Sequence, residues 1–220
     1  LLKGDSIMGI FKKLCMTSML GVMLAVPTYA TVVTGSQSDV NMELKYPLVY
    51  TTNMFAQKAI NTDIANYVLY AKSVYYDQHA YQVKQNYKVT YEDAQVVSIL
   101  LTTYYYYAGN AHGMYNTKGL VYNKITGQRI PLYNYVKIAN PQQIERGINS
   151  GILRFYREDH KKVDLLPNWN VEYVSDNYYL KGKGAIGLVY QPYELGPYSY
   201  GNTFVEFSPK AIEYFNRMNG

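Results

Sequence analysis

Three histidines, His79, His112 and His160, are the side chains of this sequence best suited to acid–base or metal chemistry. They stand 33 and 48 residues apart, so no two have the short spacing that sets a pair of imidazoles on one metal ion. His79 is read late in a first helix and His160 just past the end of a second, where the helix dipole alone favours a cation. His112 differs. Asn110-Ala111-His112-Gly113 reads as a loop between strands, where functional side chains concentrate, so His112 is either a binding residue or a side chain that fixes the turn. Carboxylates are thinly spread. Glu92-Asp93 and Glu158-Asp159 are adjacent in sequence, so within each pair the side chains diverge and neither has the form of an acid–base pair. There is no Gly-x-Ser-x-Gly elbow, phosphate-binding glycine loop or dinucleotide fingerprint. The expectation is no catalytic residue, no metal site and no cofactor.

The denser signal is aromatic, with 27 Tyr against 6 Phe and 1 Trp. Tyr joins a large apolar body to one polar handle, which suits pleated surfaces and binding faces alike. In the run Tyr104 to Tyr107, alternate residues point to opposite faces of a strand, so one pair packs inward and the other can form an exposed stacking platform. The segment Gln191 to Gly201 is the stronger candidate. Pro192, Pro197, Gly196 and Gly201 fix an irregular backbone from which Tyr193, Glu194, Tyr198 and Tyr200 project. Rigid Tyr-rich loops make good binding surfaces. The ligand-binding candidates are therefore Tyr193, Glu194, Tyr198, Tyr200 and His112, the alternative for the loop being a corner whose tyrosines pack inward.

These residues need elements to position them. From Met54 to about Gln82, apolar residues recur at steps of three and four, which predicts a helix capped by Asn53 or Thr52. Strands follow at Tyr87 to Tyr91, Val96 to Tyr107 and Met114 to Tyr122, then a Thr126-Gly127 turn and a short Arg129 to Leu132 segment. Asn140, Pro141 and Gln143 open a second helix whose inner face is Ile144, Ile148, Ile152 and Phe155. Further strands are read at Val171 to Val174, Asn177 to Leu180, Ala185 to Tyr190 and Thr203 to Phe207, with a hairpin turn at Lys181 to Gly184. Ser208-Pro209 opens a last helix. This order predicts an α+β fold: mostly antiparallel sheets packed with about three helices.

At the N-terminus Lys12 and Lys13 precede an uncharged apolar run, Leu14 to Val26, and small residues lead to Ala30. That is the form of a secretory signal peptide over residues 1–30, cleaved after about Ala30, with residues 1–7 upstream of the true start. The run is too short to span a bilayer, so no transmembrane anchor is expected after cleavage. The sole cysteine, Cys15, would leave with it, and the mature chain would have no disulfide. Losing Lys3, Lys12, Lys13 and Asp5 takes 21 basic and 16 acidic side chains to 18 and 15, so the net charge falls from +5 to +3. That is too mild and dispersed for nucleic-acid binding.

Several of these segments resemble, in order, the RsiV-type extracytoplasmic domains. Tyr46-Pro47-Leu48-Val49 followed by Ala59-Ile60-Asn61 is similar to their N-terminal module. Gly109 to Gly113, then Tyr122 to Gln128, resembles the second module, and Asn177 to Leu180 with Tyr193 to Gly201 resembles its terminal strand and loop. The likeness runs from about Leu44 to Ala211 and implies two small, closely packed modules, 44–110 and 111–215. Such modules occur in lysozyme-sensing anti-sigma factors and in PdaC-type peptidoglycan deacetylases. The cytoplasmic segment and membrane span of the first, and the catalytic domain of the second, are not seen here. The resemblance implies an ectodomain free in the periplasm or outside the cell. The expected function is a secreted, non-enzymatic binding domain of the bacterial envelope that recognises a cell-wall glycan or an envelope protein. One alternative is a lysozyme sensor or inhibitor, for which Glu194, Asp176 and Glu172 could form an acidic patch. The other is a wall hydrolase using His112 and Glu194.

Overall fold

A computed structural model describes residues 31–220, and the signal read over residues 1–30, with Cys15, lies outside the described residues. Strands β1 (Val32–Asp39) and β2 (Met42–Val49) form a hairpin, and helix α1 (Met54–Tyr76) then crosses over to β3 (Gln82–Glu92). β3 joins β2 in parallel through Met42, Glu43 and Leu44. β4 (Val96–Tyr106) and β5 (Met114–Asn123) continue antiparallel, giving a five-stranded sheet in chain order.

Asn53 caps α1 by accepting hydrogen bonds from the Phe55 and Ala56 amides, and Ala56, Ile60, Ile64, Val68, Ala71 and Val74 form the buried face the sequence spacing predicts. The Ile60-Asn61 pair divides its work between packing and pairing. Ile60 is fully buried, while the Asn61 side chain exchanges two hydrogen bonds of 2.8 Å with the backbone of Val49 at the end of β2. The helix stops at Tyr76, short of the expected Gln82. The Ser73 carbonyl takes both the Asp77 and Gln78 amides, and His79, at φ 57°, has left the helix altogether. The placement of His79 in the helical C-terminal turn is thus corrected.

The second sheet has strand order β6-β9-β8-β7 and is antiparallel throughout: β6 (Arg154–Tyr156), β7 (Tyr178–Gly182), β8 (Ala185–Tyr190) and β9 (Thr203–Phe207). The β7–β8 turn places Lys183 and Gly184 both at positive φ, as a tight two-residue hairpin needs. Helices α2 (Pro141–Asn149) and α3 (Pro209–Asn219) pack on this sheet, with Ile144, Phe155, Leu188, Val205, Phe207 and Phe215 in one cluster. Asn140 Oδ1 caps α2 by accepting from the Gln143 amide, and Gln143 Oε1 reaches one residue further back to accept from the Ala139 amide. α2 is shorter than its apolar spacing suggests. Gly151 at φ 75° turns the chain, the Leu153 amide returns to the Gly147 carbonyl, and Leu153 takes the core position expected of Ile152, which is 40% exposed. His160 accordingly lies beyond β6, in a loop at φ 61°, and not at a helix end.

The strand expected at Val171 to Val174 is irregular backbone. The Val171 amide is taken by the Glu145 carboxylate at 3.3 Å, and Val171 and Val174 serve the core as side chains alone. The Arg129 to Leu132 segment makes one bridge, to Tyr122, before a short 3-10 turn at Leu132–Asn134. With three α-helices and two mostly antiparallel sheets among the described residues, the fold is α+β. β5 lies in the 111–215 range yet belongs to the first sheet, through ten antiparallel pairs with β4. The sheets meet where β7 crosses β5 at Gly119. A Cβ there would fall 2.1 Å from the Tyr178 carbonyl oxygen, so only glycine admits the approach. The Leu180 amide also donates to Ser98 Oγ at 2.9 Å, tying the two sheets together.

Candidate ligand-binding site

The Gln191 to Gly201 loop follows β8 and lies against the end of β5. Leu195 is its apolar anchor, almost fully buried in the second core. The Gln191 side chain acts as a one-residue strand: its Oε1 accepts from the Thr117 amide and its Nε2 donates to the Thr117 carbonyl, both at 2.8 Å. The outer backbone of β5 at Thr117 is thereby satisfied, and the loop is fixed to a rigid element. At the far end Gly201 sits at φ 62°, where a Cβ would meet Glu158 Oε2 at 1.9 Å, so the turn back into β9 requires glycine.

Within this frame Tyr193, Tyr198 and His112 converge. The His112 and Tyr198 rings stack with centroids 3.7 Å apart, and the Tyr198 hydroxyl donates to the Gly113 carbonyl at 2.7 Å. His112 Nδ1 lies 3.0 Å from the same carbonyl, and Nε2 lies 3.2 Å from the Tyr193 hydroxyl. Burial, then the phenols of Tyr115, Tyr104 and Tyr193, raises the Tyr198 phenol above its ordinary range. Tyr193 is 49% exposed and holds φ 73°, a left-handed backbone that costs a non-glycine residue energy and commonly marks a functional position. The loop tyrosines therefore divide. Tyr198 supports from behind, Tyr193 faces outward, and Tyr200 is turned elsewhere, against Gly196 and beneath the Arg157 guanidinium 5.2 Å from its ring.

Tyr193 and Glu194 open onto a groove of about 460 Å³ whose other wall is Trp169, Tyr173 and Glu172. Asn168 and Asn170 flank the tryptophan. Glu194 Oε2 accepts from the Gln191 amide at 2.6 Å, which aims the carboxylate from a fixed base. Tyr173 rests on fully buried Tyr190, at 5.5 Å between rings, and burial followed by the neighbouring Glu194 carboxylate holds its phenol above the ordinary range. Asp176 adds to the negative field on Tyr173. The residue missed by sequence reasoning is Trp169. Its signal was there, as the only Trp of the chain inside the polar run Pro167-Asn168-Trp169-Asn170.

The remaining candidates have structural partners. Glu92 pairs with the buried Lys124 at 2.9 Å, and Asp93 accepts from the Gln95 and Val96 amides. Glu158 accepts from Asn202, and Asp159 from Arg157. His112 bonds to Gly113 and Tyr193, and Glu194 to the Gln191 amide, with no hydrogen bond between the two side chains. Among the described residues no three His, Cys, Asp or Glu side chains converge as metal ligands do. No described helix is long and apolar enough to cross a membrane.

A family model described as "Protein of unknown function (DUF3298)" matches residues 126–208, the stretch that runs from the end of β5 through the groove and loop to β9. Two solved structures share the fold. A DUF3298 family protein from Pseudomonas aeruginosa PAO1 superposes with TM-score 0.57 at 14% identity, over 83% of this chain and 91% of that one. A DUF3298 family member from Bacteroides fragilis NCTC 9343 superposes with TM-score 0.54 at 14% identity, over 86% and 94%. No curated protein matches this sequence.

Proposed function

We propose that this chain is an extracytoplasmic binding domain of the bacterial envelope, akin to the RsiV-type ectodomains, and that it holds a cell-wall glycan in the groove between Trp169 and Tyr193. The supporting observation is the composition of that groove: the aromatic side chains Trp169, Tyr173 and Tyr193 over buried Tyr190, beside the carboxylates of Glu172 and Glu194. Sugar rings offer an apolar C–H face that packs on an aromatic ring, and a rim of hydroxyls that donate to carboxylates and amides. Asn168 and Asn170 supply the amides. The secretory form of residues 1–30 agrees with a ligand outside the cytoplasm.

Cosedimentation of the purified protein with insoluble peptidoglycan at low and high salt tests this reading. Stacking predicts retention at both salts, because screening weakens charge attraction and leaves ring contacts in place. No retention at either salt overturns it.

A basic protein ligand such as lysozyme is the second reading. It is favoured by the acidic side of the same groove, where Glu172 and Glu194 line the hollow and Asp176 stands close to Tyr173. It predicts tight 1:1 binding in solution that weakens with salt and in Glu172→Gln with Glu194→Gln, without retention on glycan.

A further inference from the structure

On the outer face of the first sheet the chemistry is reversed. Cross-strand pairing places Lys84 opposite Tyr104, Asn86 opposite Thr102 and Lys88 opposite Leu100, and Tyr104 opposite Tyr115 on the next strand. Paired residues project to one face, so these side chains share the side away from α1, while the intervening Val83 and Gln85 are fully buried on the helix side. Two hollows lie along that face, of about 420 Å³ and 320 Å³, and adjoin at Asn86 and Thr102, which line both, so together they mark a trough along the sheet. The second sheet forms its far wall through Tyr179, Lys181 and Phe204, with His160 and Glu158 at the rim.

We propose that this trough is a second binding site, one that takes a carboxylate-bearing oligosaccharide. Lys84 and Lys88 enter no ion pair among the described residues. Lys181 extends the line of cations from the opposite wall, paired at 2.5 Å with Glu206. The one carboxylate in the lining, Glu158, is engaged by the Asn202 amide and side chain. Four residues along a strand put Lys84 and Lys88 ~13 Å apart. A single small anion cannot reach both, and a chain of repeated charges can. Between the cations the floor is amide and hydroxyl, Asn86 and Thr102, suited to sugar hydroxyls. The Tyr104–Tyr115 pair, 5.1 Å between rings, ends the trough with aromatic surface. A plain polyanion would use the cations and leave the rest idle. The site is independent of the groove at Trp169, from which it differs in strands, charge and ligand.

The test titrates the protein with hexagalacturonate, with neutral cellohexaose and with inorganic polyphosphate, by calorimetry and by amide NMR shifts along β3, β4 and β5. The expected result is saturable hexagalacturonate binding that shifts Asn86, Thr102 and Tyr104. It weakens by about tenfold or more in K84Q/K88Q and shows a shallower salt dependence there. The expected result also includes a clear loss in Tyr104→Leu, which keeps the charge. Equal affinity for polyphosphate, or indifference to Tyr104→Leu, would reduce the trough to charge attraction and overturn the proposal. So would hexagalacturonate binding that K84Q/K88Q leaves unchanged. Failure of peptidoglycan retention would leave this result intact, since the groove at Trp169 is read by a different assay.

Discussion

The groove at Trp169 and the trough at Lys84 are built on opposite principles. The groove takes most of its side chains from irregular segments, residues 168–173 and 193–195, with Tyr190 at the end of β8 beneath them. It owes its shape to side chains that bond distant backbone, Gln191 to Thr117 and Tyr198 to Gly113, and to the local bond of Glu194 to Gln191. The trough takes its floor from β3, β4 and β5, where cross-strand register sets the spacing with no special anchor. One is aromatic and acidic, the other basic and polar. A loop site gains chemical variety but depends on a few anchors. A sheet site gains regular spacing and is insensitive to any one of them.

That contrast can be broken most sharply by removing the groove's aromatic faces. Trp169→Ala with Tyr193→Ala should weaken binding to peptidoglycan by about fivefold to more than a hundredfold, from two ring contacts of ~0.5–1.5 kcal/mol each. Hexagalacturonate binding should stay unchanged in the same variant. If both activities fall together, the two regions are not separate sites.

Next in size is the anchor behind the groove. Tyr198→Ala removes the stack on His112 and the bond to Gly113, and should cost about 2 kcal/mol of unfolding free energy in urea titration. Retention on peptidoglycan should fall with it, because Tyr193 loses its backing. Tyr198→Phe keeps the ring, and should cost about 1 kcal/mol with most of the retention preserved. Tyr200→Ala, whose ring faces Arg157 and Gly196, should leave retention near the parent level. Equal loss in Tyr198→Ala and Tyr200→Ala would mean that the loop acts as one unit.

The smallest effect lies at the trough's rim. Hydrogen bonds from Arg157, then the Lys161 amide, hold the Asp159 carboxyl below its ordinary 3.8, at about 2. A depressed acid contributes in full above its ordinary value and loses that contribution as pH falls from about 4 through about 2. Local order at residues 157–161 should therefore decline across that window, read as a pH-dependent shift of the Lys161 amide, which bonds Asp159 at 3.2 Å. Asp159→Asn should flatten that dependence. Because Asp159 is solvent-exposed, global stability should hardly change.

Local physics was legible in the sequence wherever it was self-sufficient. The caps at Asn53, Asn140 and Ser208, the buried stripe of α1 and the β7–β8 turn depend on neighbours within a few residues, and all appear where their spacing placed them. The Tyr104 to Tyr107 alternation also held, with Tyr105 and Tyr107 packed on the first core and Tyr104 facing out beside Tyr115. The early end of α1, the irregular backbone at Val171 and the position of His160 were not legible. Each turns on a partner far away or on a positive φ that no periodicity records.

The candidate loop divides in the same way. Its composition named Tyr193, Glu194, Tyr198 and Tyr200, and its prolines and glycines marked an irregular, ordered backbone. Which tyrosine looks outward was decided by contacts across the fold: His112 and Gly113 draw Tyr198 inward from 85 residues away at the latter, and Arg157 covers Tyr200. The facing of Trp169 toward Tyr193, and the alignment of Lys84 with Tyr104, likewise exist only once strands and loops are assembled. Sequence determined which side chains were available and which backbone each could follow, because caps, turns and periodicity are short-range. The tertiary structure alone decided which of them share a surface, because that is set by sheet register and by bonds between residues far apart in the chain.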